Sequence, residues 1–252
     1  MTFDRVIASL AIPADARVDR RVPKKLLVEQ GAPTAADKRQ IQDGVEEIGW
    51  VAALKPTNIA VPAFRDDIRE YLEIAVVTAA FRASAKPARI LELVHRAIPY
   101  PLVLVAAHGE TVTMSLAHKR WSQGEKGKIV IEDVFRTIAF RPDIPTAQER
   151  SFLTSLAISL LPSDNLFALY QGWIDCVAAF EASQITGKFA LPESTDQAAS
   201  VRDSLNVHAD LQNKLGVLRS QAKKEKQIKR RVELNLEIKR LESELTAAKA
   251  AL

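Results

Sequence analysis

Four carboxylates, Asp66, Asp67, Glu70 and Glu73, crowd the stretch just before one of the chain's most apolar runs, IAVVTAAF. Acids at the mouth of a strand are what a divalent metal needs, because it takes hard oxygen ligands and activates a water for attack on a phosphodiester. A nuclease of that design also carries an acid, one residue and a lysine on the strand that follows. No such triplet follows here, and Glu132-Asp133 lies in a later strand without a matching lysine. The four acids therefore read first as strand-end and turn residues, and as the catalytic site only in an alternative, a metal-dependent nuclease with a degenerate carboxylate set.

Other chemistry finds less support. His95, His108, His118 and His208 lack the close spacing of metal ligands, so no metal is expected. The one cysteine, Cys176, sits in the apolar run LFALYQGWIDCVAAF, as a buried hydrophobe does, and a single thiol excludes an internal disulfide. The chain has no phosphate-binding glycine loop, no dinucleotide fingerprint and no serine-hydrolase elbow, so no cofactor is expected.

Cations are the second resource. Arg20, Arg21, Lys24 and Lys25 gather around Pro23; Lys119 and Arg120 precede Trp121, an aromatic able to stack on a base. Lys223, Lys224, Lys226, Lys229, Arg230 and Arg231 fall in the segment KKEKQIKRR. Each alone is an ordinary solvated face, and all three together would make a phosphate-binding track if the fold put them on one side.

The charge is distributed unevenly. Residues 201–252 hold 12 Lys and Arg against 7 Asp and Glu, which leaves 23 against 24 for the rest, so the overall charge of +4 belongs to the tail. The tail lacks Pro and reads as one long basic coiled-coil helix. Leu234, Ile238, Leu241, Leu245, Ala248 and Leu252 alternate four and three apart, the seam that two helices bury against each other. Leu211, Leu215, Leu218 and Ala222 keep the same alternation, but carried forward it meets Val232 and Leu236, two residues out of phase. The two halves cannot share one unbroken seam. Leu234, Ile238, Leu241, Leu245 and Leu252 are the expected oligomerisation residues.

Residues 1–190 are expected to form the globular body and 191–200 a polar linker. Thr34 and Asp37 cap a helix with Ile41, Val45, Ile48 and Ala52 on one face. NIAVPAF reads as an edge strand, Tyr71 to Phe81 as a central strand, and Ser84-Pro87 as the start of a helix closed by Pro99. His108-Gly109 connects two strands as a hairpin. Thr146 and Glu149 form a capping box for a helix running to Pro162, and Ser163 starts another that ends at Gly187. The fold class is α+β, a mixed sheet with packed helices followed by a long C-terminal coiled-coil helix.

The steps Arg21 to Leu26, Ile48 to Trp50 and Lys55 to Ile59, with Ile98-Pro99-Tyr100-Pro101 and Ser115-Leu116-Ala117 later, resemble in order and spacing DUF4391, a bacterial family known only as a domain of unknown function. The resemblance carries no activity to any residue. It implies a setting in restriction-like and phage-defence loci, beside helicases and DNA methyltransferases.

The function expected is a non-catalytic interaction subunit of a DNA-processing or defence system. Its partners would be a protein (a helicase or methyltransferase by family context), DNA, and a second copy of itself through the seam. No apolar run reaches the ~20 residues of a membrane span, so no membrane partner is expected and the expected compartment is the cytoplasm.

Overall fold

The computed structural model describes residues 2–124 and 129–252. It divides into two compact units, Met1–Val177 and Ala178–Leu252. In chain order the first unit holds α1 (Asp4–Ser9), β1 (Arg17–Arg21), α2 (Lys24–Gly31), α3 (Ala35–Gly44), β2 (Val45–Leu54), α4 (Pro56–Ile59), β3 (Phe64–Arg65), β4 (Glu70–Tyr71), β5 (Ile74–Phe81), α5 (Pro87–Ala97), β6 (Leu102–His108), β7 (Thr111–Trp121), β8 (Ile129–Arg136) and α6 (Ala147–Ser155). Helix α7 (Leu166–Thr186) runs from the first unit into the second, which continues with α8 (Thr195–Lys224) and α9 (Ile228–Ala250).

Six strands form one mixed sheet in the order β1-β2-β5-β6-β7-β8, and β3-β4 is a separate small hairpin. Only β5 and β6 run parallel, because the crossover between them is a helix, α5. The rest are antiparallel neighbours. The class is α+β. Strand β5 is central, and seven of its eight residues are buried, which fits its branched, apolar sequence.

Alternation along the strands splits the core into two layers. Ala75, Val77, Leu102 and Leu104 face α2, α3 and α5 in one cluster with Leu27, Ile41 and Ile90. Val76, Val103, Val105 and Met114 point the other way and are fully buried. On that second face α7 lies against β7, with the Phe167 ring 5.1 Å from His118. The Tyr170 hydroxyl accepts from Ala117 N–H and donates to the Leu102 carbonyl, both at 2.8 Å, just beyond the last paired residues of β6 and β7, Leu104 and Ser115.

Several elements differ from expectation. The helix begun by Thr34, whose hydroxyl accepts from Asp37 N–H at 3.1 Å, ends at Gly44, so Val45, Ile48 and Ala52 lie on β2. A side chain at Gly44 would meet Ile90 at 2.7 Å, and that close approach is where the sheet takes over. NIAVPAF contributes the end of α4 and one residue of β3 instead of an edge strand. The hairpin turn is Gly109-Glu110, with His108 paired to Thr111 and Gly109 at φ 62°. The Thr146–Glu149 capping box is present, but its helix stops at Ser155 and Leu160 is exposed. Asn165 caps α7, accepting from Ala168 N–H at 2.9 Å.

The largest difference is in the tail. Ser194 caps α8 inside the expected linker, and the chain breaks at 225–227 into a second helix. Leu211 and Leu215 of α8 pack against Ile238 and Leu241 of α9, flanked by Leu218, Ala222, Leu245 and Ala248. Arg219 reaches Glu242 at 2.8 Å. A parallel pair in that register would hold Lys224 and Ile228 about 28 Å apart along the axis. The three-residue connector spans at most about 14 Å, so the helices are antiparallel. The two out-of-phase seams are the two sides of one hairpin.

Candidate functional site

The four acids do not converge. Asp66 Oδ1 accepts from the backbone N–H of Ile68 at 2.9 Å and of Arg69 at 2.6 Å, closing the β3-β4 turn. Glu70 pairs with Arg65 at 2.6 Å and Glu73 with Lys55 at 3.1 Å, while Asp67 is exposed. Among the described residues no group of three or more His, Cys, Asp or Glu is placed to share a metal. The Cys176 thiol is buried beside Ser155 and pushed up to about 11 by that burial, opposite to what a nucleophile needs.

The basic clusters have different fates. Lys119 is 5% exposed and donates to the Ile98 and Tyr100 carbonyls just past α5; burial pulls its amine down to about 7. Its role is to tie down these two carbonyls from inside the body, not to offer a surface charge to phosphate. Arg120 lies 3.6 Å from Glu132, which also pairs with Arg69, and Trp121 is half-buried beside them. Of the expected three residues at this cluster, Lys119 is buried and Arg120 is half-buried and paired.

Arg20 and Arg21 sit on the rim of a cleft of about 620 Å³ on the second face of the sheet. Two strands reduce their side chains at one level: beside Gly49 and Glu47 of β2, Thr78 and Val105 give way to Ala80 and Ala107, where the branched residues stop. That step leaves the floor open. The rim is electrically balanced, since Arg17 pairs with Asp19 at 2.8 Å and Arg21 lies 3.7 Å from Glu47, with Glu46 and Asp4 beside them. Lys24 donates to the Val45 carbonyl at 2.7 Å and Lys25 pairs with Glu29 at 3.6 Å. Arg20 and Lys24 make no ion pair among the described residues, and of the two only Lys24 is held, by the Val45 carbonyl. The level where the floor opens could not be found in the sequence, because it exists only once three strands are in register.

The third cluster stays concentrated. Lys223 and Lys224 end α8, Lys226 lies in the connector, and Lys229, Arg230 and Arg231 open α9, so all six cations gather at the hairpin tip with Glu225 as their one anion. Lys223 and Lys224 favour the negative end of the α8 dipole. The first turn of α9 carries no acid, and the cations there oppose the helix dipole. Arg230 is relieved by Glu233 at 2.9 Å; Lys229 and Arg231 make no ion pair among the described residues. Helix stability does not explain these cations, and an anion placed at the tip would meet both the positive dipole end and the side chains.

The family described as Domain of unknown function (DUF4391) matches residues 10–245. The chain belongs to the DUF4391 family. The match spans nearly the whole chain, so in this DUF4391 protein the hairpin falls within the family region apart from its last turn. No curated protein and no solved structure matches the chain. Among the described residues no helix is long and apolar enough to cross a membrane.

Proposed function

We propose that this DUF4391 protein is a non-catalytic interaction subunit of a DNA-processing or phage-defence assembly, and that its helical hairpin is an arm whose cationic tip rests on the phosphate backbone of DNA. What supports the reading is the tip itself: six cations at one end of a hairpin, three of them in the first turn of a helix that they destabilise. A protein binds a polyanion through such a cluster with little regard to sequence, because phosphate contacts position without specifying. The surrounding assembly, a helicase or methyltransferase in the cytoplasm, follows from the setting the family resemblance implies.

The alternative, a metal-dependent nuclease, draws no support from Asp66, Glu70 and Glu73, each engaged with its own neighbour. Incubating the protein with labelled duplex DNA in Mg²⁺ and in Mn²⁺ separates the two. The interaction reading expects a shifted but intact duplex, and loss of the shift when Lys223, Lys224, Lys226, Lys229, Arg230 and Arg231 all become Gln. Cleavage that disappears in Asp66→Asn or Glu73→Gln would establish the nuclease instead.

A further inference from the structure

Helix α9 has two apolar faces. The first, centred on Leu234, Ile238 and Leu241, is buried. The second, Ile228, Val232 and Leu236, stands roughly 160° around the helix axis from it. These three residues are 73%, 52% and 63% exposed. They are four residues apart, the ridge that one helix inserts into the groove of another. Three branched side chains left in water on successive turns are a docking feature, because no helix needs them there for its own stability.

Charge selects what covers them. The charged residues nearest the ridge, within roughly 80° of its centre, are Lys229, Lys239, Arg240 and Glu242. Glu242 is turned to Arg219 of α8, and Glu233, further round, is tied to Arg230. Lys229 and Lys239 make no ion pair among the described residues, and Arg240 pairs with Glu244 at 2.9 Å. The border presented to a visitor is cationic. A second copy of the chain would bring like charges together along the ridge. A lipid surface is matched by aromatic anchors, and Trp, Tyr and Phe are absent from residues 190–252.

We propose that the outer ridge of α9 is the docking site for an acidic amphipathic helix of a partner protein, with leucine-like residues in the groove and carboxylates toward Lys229 and Lys239. The proposal rests on reading the hairpin as an interaction arm, and uses a different face from the tip.

The probe is a synthetic labelled helix of ~20 residues with Leu and Ile at helical spacing and Glu on both borders, beside a peptide of the same composition with the spacing scrambled. Fluorescence anisotropy with the full chain should show saturable binding of the first and not the second. The double substitution Val232→Asn and Leu236→Asn, at exposed positions where helicity by circular dichroism is retained, should weaken it at least about tenfold. Lys223→Gln, Lys224→Gln and Lys226→Gln together should leave peptide binding unchanged while weakening DNA. Equal binding of both peptides, or none, overturns the proposal. So does binding to phosphatidylserine vesicles but not to the peptide, which makes the ridge a lipid site, or a dimeric mass that V232N/L236N converts to monomer, which makes the occupant a second copy. Peptide binding without DNA binding removes the DNA reading and leaves the ridge.

Discussion

Arg219 on α8 and Glu242 on α9 meet at 2.8 Å across the hairpin, although 23 residues separate them. The pair lies beside Leu218, Leu241 and Leu245, so it marks the register in which the two seams close on each other. Both partners are largely exposed, and the bridge itself contributes little, on the order of 0 to 1 kcal/mol. The apolar seam holds the arm together.

Leu241 is 8% exposed and packed against α8, so Leu241→Ala removes a contact that nothing else replaces in so thin an interface. The expected cost is about 2 kcal/mol, at the low end for buried leucine truncation, and it should fall on the hairpin alone. Hydrogen exchange read segment by segment should show faster exchange in residues 205–250 with β5 and β6 unchanged. Unchanged protection of α8 and α9 would mean that the seam is held by something other than this pairing.

Tyr170→Phe leaves the ring in place and deletes the hydroxyl that serves Ala117 N–H and the Leu102 carbonyl. Two buried backbone groups then lose a partner, and destabilisation of about 1 to 3 kcal/mol is expected by urea denaturation. A loss below about 0.5 kcal/mol would mean that the two strands close the gap themselves.

His95 is buried, bonded through Nε2 to Ser115 Oγ at 2.9 Å, and held neutral down to about 3 by burial and the neighbouring Lys119 amine. The unfolded chain binds that proton near 6.5, so below this value the unfolded state carries one proton more than the folded state. Stability therefore rises with pH through this window, by at most about 1.4 kcal/mol per unit from this group. His95→Gln should flatten the dependence between pH 4.5 and 6.5. Identical slopes in both proteins would show that His95 is protonated in the folded state.

The sequence made the class and most helices of the body legible because capping residues and prolines act locally: Thr34, Pro87 and Thr146 each start the helix expected of them. It misplaced β2 because Ile41, Val45, Ile48 and Ala52 also fit a helical stripe, and only the neighbouring β5 and the tight approach at Gly44 decide the matter. Lys119 looked like a surface cation because its partners, the carbonyls of Ile98 and Tyr100, lie at the end of a different element. The tail was half legible. The phase break between the seam that ends at Ala222 and the seam that begins at Leu234 is visible in the sequence; that it marks a reversal needed the short connector, since two out-of-phase seams serve two partners equally well.

The central claim is that the hairpin tip binds phosphate by charge. Its most direct test is the salt dependence of duplex DNA binding. A tip that brings about half of its six cations to the backbone gives a slope near −3 in log affinity against log salt, at about −0.9 per phosphate, with little sequence preference. Changing Lys223, Lys224, Lys226, Lys229, Arg230 and Arg231 to Gln should abolish that binding. No binding even at low salt, or a slope unmoved by those six substitutions, would contradict the account.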